Sequence, residues 1–218
     1  MVRATLLTLL FLAGHGWAGE AAWEGRYRIR DAAGERELVL LRGDDRIEYR
    51  IAGEPVRVWR KVADGVELSE LYPRQRRKVV FSPGDLRTLD KEPDWALLGG
   101  LIDPALRTQL QAAGGGRGFE QAQTRYRGHD AQGRPVELDW LDATALPARY
   151  CVGQPKAKRC DGDAIRLQGL RQVDATAFSP VDDLLEIDQA DLGDMELDPF
   201  VKGLGHAAED NLEGLLLG

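Results

Sequence analysis

The chain is poor in the residues that carry most enzyme chemistry. It has two cysteines, two methionines and three histidines in 218 residues, and asparagine occurs once, at Asn211. Beyond residue 18, serine is confined to Ser69, Ser82 and Ser179, and histidine to His129 and His206. No nucleophile elbow, zinc-ligand spacing or phosphate-cradling glycine loop is present. Carboxylates are plentiful, but nothing sets two of them opposite each other as a glycosidase pair. The sequence therefore predicts no enzyme and no cofactor. Past the N-terminus no segment reaches the roughly 18 apolar residues of a spanning helix, so no transmembrane anchor is expected in the mature chain. A net charge of −7 excludes the basic footprint of a nucleic-acid partner.

What is present begins with a leader. Arg3, the apolar run Leu6 to Ala13 broken only by Thr8, and then Gly16, Trp17 and Ala18 have the order of a cleavable signal peptide over residues 1–18. No cysteine stands at the cut to carry a lipid. The expectation is a soluble, periplasmic protein whose residues 19–218 form a single domain, large enough to bury a core without staples. In that oxidising compartment Cys151 and Cys160 are expected to pair, with Gly153 and Pro155 allowing the turn between them.

Turn signals recur about every ten residues through the first third: 32–35, 43–45, 53–55, 63–65 and 73–76. Between them apolar residues alternate with charges: Tyr27 and Ile29 against Arg26, Arg28 and Arg30, then Ile47, Tyr49 and Ile51 against Arg46, Glu48 and Arg50. Such alternation predicts six consecutive antiparallel strands with one apolar and one wet face. After Phe81 the breakers Ser82 to Asp85 change the period. Trp95, Leu98, Leu101, Ile102, Leu106 and Leu110 then recur at helical spacing and predict one or two helices, interrupted by Gly99-Gly100 and Pro104. Gly114 to Gly118 reads as a flexible stop. Strands resume over 119–127, 135–141, 146–152 and 164–173, and a last helix is expected over 199–217. The predicted class is α+β, an antiparallel meander curled by its twist into an incomplete β-barrel with helices over the concave face.

Two stretches, LYPRQRRKVVFSPGDL (71–86) and VELDWLDATALPARY (136–150), together with this strand order, resemble the periplasmic carrier and sorting proteins of outer-membrane lipoproteins. The resemblance implies an open barrel under a helical lid and a binding protein for acyl chains or lipid-like groups, although members of the broader fold also sense envelope stress. In the carriers a buried arginine on an early strand is associated with latching the lid. Arg42 and Arg46 both lie in the comparable region. The membrane-anchored member of the family begins with a lipidated cysteine, which this chain lacks.

Three surfaces are candidates for function. The apolar face, with Tyr27, Ile29, Tyr49, Trp59, Leu68, Phe81, Trp95 and Trp140, would line an acyl-chain site or form an ordinary filled core. Arg74, Arg76, Arg77 and Lys78 would meet an anionic group or an acidic partner, or simply solvate a hairpin tip. The segment 174–201 contains no lysine or arginine and is dense in carboxylates. It would dock a basic envelope protein in the alternative reading of this chain, or stay solvated, and Asp191, Asp194, Glu196 and Asp198 are weak candidates for calcium.

Overall fold

The structure, a computed structural model, describes residues 22–153 and 160–204. The expected leader, residues 154–159, His206 and most of the expected terminal helix lie outside those residues. Strands form where the alternation places them: β1 (Ala22–Asp31), β2 (Gly34–Arg42), β3 (Arg46–Ile51), β4 (Val56–Val62), β5 (Gly65–Tyr72) and β6 (Arg77–Phe81), each antiparallel to the next.

Ser82 ends β6 and starts α1 (Pro83–Thr88). The Asp85 amide donates to its hydroxyl at 3.2 Å, while its own amide donates to the Asp85 carboxylate at 2.8 Å. This reciprocal cap, with proline in the first turn, satisfies donors that a helix start leaves unpaired. Asp94 caps α2 (Trp95–Gly100) and Asp103 caps α3 (Pro104–Gln109) one way only, their carboxylates accepting from the Ala96 and Ala105 amides at 2.7 Å. The stretch Trp95 to Leu110 thus holds two short helices divided at Gly99-Gly100 and Pro104, within the one or two that its spacing predicts, and α1 is a further helix that starts at the breakers Ser82 to Asp85.

The glycine run overturns an expectation. Gly114 to Gly118 are not a flexible stop but belong to strand β7 (Gln111–Gly118), paired with β8 (Gln121–His129). Glycine carries no side chain to pack, but its backbone makes ladder hydrogen bonds as well as any, and a register shift near Gly114, at φ of 123°, absorbs the irregularity. β9 (Pro135–Leu141), β10 (Leu146–Val152) and β11 (Ala164–Val173) follow, and β11 returns to pair with β1. A 3-10 turn (Ala175–Ala177), β12 (Leu185–Asp188), a second 3-10 turn (Gln189–Met195) and α4 (Pro199–Leu204) complete the described chain.

All these strands belong to one sheet, ordered β12-β6-β5-β4-β3-β2-β1-β11-β10-β9-β8-β7. It is open, with β12 and β7 outermost. The chain is therefore sheet-rich with few helices, as its alternation implied. The connector from β6 to β7 joins strands ten spacings apart, roughly 48 Å across a flat sheet. It cannot avoid crossing a face, and it takes the apolar one. Leu86, Leu98, Leu101, Ile102, Leu106 and Leu110 pack there with Tyr27, Leu40, Tyr49, Phe81 and Leu138 in one core. Each such side chain removed from water contributes roughly 1.5–3 kcal/mol.

The other face is not simply wet, which corrects the reading of its charges as solvated. Residues 174–184 lie over β3–β5, and Val181 joins Val58 and Leu71 in a second apolar cluster. Glu48, beneath this strap, is fully buried. Its carboxylate accepts from Arg50 Nε at 2.6 Å, from the Ser179 amide at 2.9 Å and from the Ser179 hydroxyl at 2.7 Å. Arg46 donates to the Ser179 carbonyl at 2.6 Å and stacks over Phe178. Arg57 and Glu70, 3.0 Å apart, are buried on the same side.

Cys151 and Cys160 are joined at the neck of the β10–β11 hairpin, with their Cα atoms 5.6 Å apart. Arg30 donates to the carbonyls of Cys160 and Gly162, fastening this neck to β1.

Candidate functional site

Strand parity separates the two arginines that the sequence left equivalent. Arg42 follows Leu38 and Leu40 on the apolar face of β2, whereas Arg46 shares the outer face of β3 with Glu48 and Arg50. Arg42 Nη1 donates to the Gly99 carbonyl of α2 at 2.9 Å and to the Ala145 carbonyl at 3.1 Å, and Nη2 donates to the Thr144 carbonyl. One cation thus ties α2 to the β9–β10 turn through neutral backbone acceptors. Burial pulls its guanidinium below the ordinary value, while Tyr27 and Asp44 act in the opposite direction.

Adjacent glycines of α2 reach both halves of the sheet. A Cβ built at Gly99 would lie 3.1 Å from Arg42 Cδ and 3.5 Å from Ile47 Cδ1 on β3, and one at Gly100 would lie 3.5 Å from the Trp140 ring on β9. In a flat sheet β3 and β9 stand about 24 Å apart. Any side chain at Gly99 would press on the arginine tie.

Beside Arg42 opens a cleft of 430 Å³, walled by Trp95, Gly99, Gly100, Ile102 and Trp140 and edged by Arg42, Asp44 and Arg107. Arg107 lies over the Trp140 ring at 4.8 Å and Lys61 over Trp95 at 4.6 Å. The cleft is an apolar hollow with two arginines and one aspartate at its rim. Of the eight apolar residues singled out in the sequence, Trp95 and Trp140 face it. Tyr27, Ile29, Tyr49, Trp59, Leu68 and Phe81 are buried in the core beneath the helices.

Two tyrosines under α2 differ in their satisfaction. The Tyr49 hydroxyl donates to the Leu98 carbonyl at 2.6 Å, whereas the buried Tyr27 hydroxyl has no hydrogen-bond partner among the described residues. Burial raises the phenol pKa of both. Tyr49→Phe is expected to cost about 1 kcal/mol or somewhat more, because a buried carbonyl loses its donor, while Tyr27→Phe should be neutral or stabilising. Chemical denaturation of the two variants checks this, and equal losses would reveal a polar partner for Tyr27.

The basic turn and the acidic segment meet each other. Lys78 Nζ lies 2.8 Å from the Glu186 carboxylate, and Arg77 donates to Asp198 at 2.9 Å and stacks over Phe200. Arg77, followed by the Phe200 amide, holds the Asp198 carboxyl below its ordinary value. Arg74 and Arg76 are exposed and take no ion pair among the described residues. Asp174 and Asp188 cap the two 3-10 turns. Asp191, Asp194, Glu196 and Asp198 do not converge: among the described residues no three His, Cys, Asp or Glu side chains are grouped to hold a metal.

A wider hollow of 740 Å³ lies at the other end of the sheet, where His129 stands beside Gln109, Gln111, Arg127 and Glu137. Glu137 is engaged there by Arg127 and Arg149. Sequence reasoning missed the Glu48–Ser179 socket altogether. The signal available was a lone acid between two arginines on one strand face, which is also the pattern of an ordinary solvated strand.

No helix among the described residues is long and apolar enough to cross a membrane. No family model and no curated protein sequence matches the chain. Among solved structures it is similar to an uncharacterized conserved protein from Thermus thermophilus, with 13% identity and a TM-score of 0.45 over 78% of this chain and 91% of that one. It is also similar to a chain in the MucA/MucB complex of Pseudomonas aeruginosa, with 12% identity and a TM-score of 0.38 over 75% of this chain and 54% of that one.

Proposed function

We propose that this chain is an exported, non-catalytic binding protein that holds an acyl chain or lipid-like group between its sheet and its helices. In this reading the sheet is an incomplete barrel, α1–α3 are its cover, and the 430 Å³ cleft is the entrance. The observation that carries it is the Arg42 tie. A lone cation at the edge of an apolar interior holds a six-residue helix through neutral carbonyl groups, a fastening with no buried counter-ion that would make release costly. Helices of this length have little stability of their own and keep their place by packing and by such contacts. The reach of α2 to both β3 and β9 supports a curled sheet, since side chains cannot bridge the flat separation. The disulfide supports residence in an oxidising compartment. Affinity would come from apolar burial, roughly 25 cal/mol per Å² removed from water, with Arg42 and Arg107 placed for an anionic head group.

Native mass spectrometry and solvent extraction of protein purified from the periplasm of an expression host test this reading. The expected result is a retained lipid, or saturable binding of a fluorescent fatty acid by the emptied protein. Protein that is recovered empty and ignores the fatty acid would remove the proposal.

A further inference from the structure

Strand β12 differs from the other eleven. Among the described residues it is the one parallel strand of the sheet, and it joins β6 across more than a hundred residues of chain. It covers Arg77 to Val80 in the register Leu185 to Arg77, Glu186 to Lys78, Ile187 to Val79 and Asp188 to Val80. Its hold is slight. Ile187 is buried, but Leu185 remains 61% exposed, and the Glu186 side chain that pairs with Lys78 is 62% exposed. Lys78 itself is buried, but an ion pair whose carboxylate is that open to solvent contributes little.

The surface beneath is built for more than β12 supplies. Four cations, Arg74, Arg76, Arg77 and Lys78, stand along the turn and the start of β6, and among the described residues the chain's own acids match only two of them. Asp182 and Asp183 precede β12 but form no ion pair with Arg74 or Arg76. The strand is therefore an incomplete answer to the charge pattern of the edge it covers.

We infer that the outer edge of β6, with the turn 73–78, is a docking site for an extended acidic segment of a partner protein, and that Leu185–Asp188 is the chain's own occupant of that site. The occupant displays the binding mode: a parallel backbone ladder, an apolar residue opposite Val79 and a carboxylate opposite Lys78. An incoming strand that continued extended past Arg77 would bring further carboxylates to Arg76 and Arg74. The anchors on either side of β12, Ser179 and Val181 before it and Phe200 after it, keep the displaced segment close. Its high effective concentration makes the site selective, because only a partner with better charge matching displaces it. The chain is acidic overall, but beyond about 10 Å that charge is screened at ordinary salt, whereas the cations act at contact. This inference is independent of the lipid reading, since no residue of the Arg42 cleft takes part.

The probe is a fluorescein-labelled peptide of residues 181–188, VDDLLEID, titrated into the full-length protein by fluorescence anisotropy. Ile187→Asp unseats the internal strand and leaves β6 intact. Binding to this variant should be about tenfold tighter than to wild type, and should weaken at least about tenfold between roughly 50 and 500 mM salt. Adding Arg76→Glu and Lys78→Glu should abolish it. Affinity indifferent to Ile187→Asp, or to those charge reversals, would overturn the inference. Hydrogen exchange on the wild-type protein keeps the question open to decision if a variant does not fold. The amides of Lys78 and Val80, which point toward β12, should exchange far faster than those of Val58 and Trp59 and should slow when the peptide is added, whereas those of Arg77 and Val79 face β5; equal protection of Lys78 and Val80 with the β4 amides refutes a displaceable edge.

Discussion

Arg42→Met is expected to admit a fluorescent fatty acid about tenfold faster than wild type in stopped-flow measurements, because the tie between α2 and the β9–β10 turn is gone. Methionine keeps much of the apolar stem that packs beside Ile47 and Gly99 and removes the donors that hold Gly99, Thr144 and Ala145. Carbonyl groups losing a charged donor lower stability by about 2–4 kcal/mol, visible as a drop in Tm. Arg46→Met is the control. It loses a bond to the Ser179 carbonyl and a stacking contact with Phe178, but it touches nothing in α2. Its uptake rate should match wild type even if its Tm falls. If Arg42→Met lowers Tm without changing uptake, Arg42 is a brace of the core and the latch reading fails.

Glu48→Ala is expected to have the largest effect on stability, about 3–5 kcal/mol by denaturant unfolding, since it leaves two half-buried arginines without their counter-charge and the Ser179 donors without their acceptor. The Ser179 amide and hydroxyl lose their acceptor, and Arg50 is left beside a cavity. Because Glu48 is the point where the strap is seated, limited proteolysis should cut within residues 174–184 in the variant under conditions that spare the wild type. Ser179→Ala keeps the backbone donor and should cost nearer 1 kcal/mol. A loss below about 1 kcal/mol for Glu48→Ala would mean that the apolar cluster of Val58, Leu71 and Val181 seats the strap without it.

How much of this was legible in the sequence depends on whether the determinant is local. Turn spacing and alternation place β1–β6 and β8–β11 because a strand with one buried face writes its period into consecutive residues. The caps of α1–α3 are equally local, and Ser82, Asp94 and Asp103 stand where helix starts need acceptors. What alternation does not carry is pairing between distant segments. The union of β1 with β11, the parallel addition of β12 and the strap over Glu48 depend on long-range contacts. Polar residues on the outer faces of β3–β5 look alike whether water or residues 174–184 cover them. β7 was hidden for a different reason: its glycines have no side chains to show a period. At the candidate site, Trp95 and Trp140 were found by hydrophobicity. Parity with Leu38 and Leu40 was enough to set Arg42 apart from Arg46, but it acquires meaning only once a helix is known to lie over that face.

The pairing of β1 with β11 also bears on how the protein matures. Ala22 meets Val173, so β1 waits for the synthesis of β11 before its second edge is covered. Closure of such distant partners is slow. During that interval the chain displays a bare, half-apolar edge open to aggregation, so its folding yield is expected to depend on protection of that edge as well as on the final stability of the sheet.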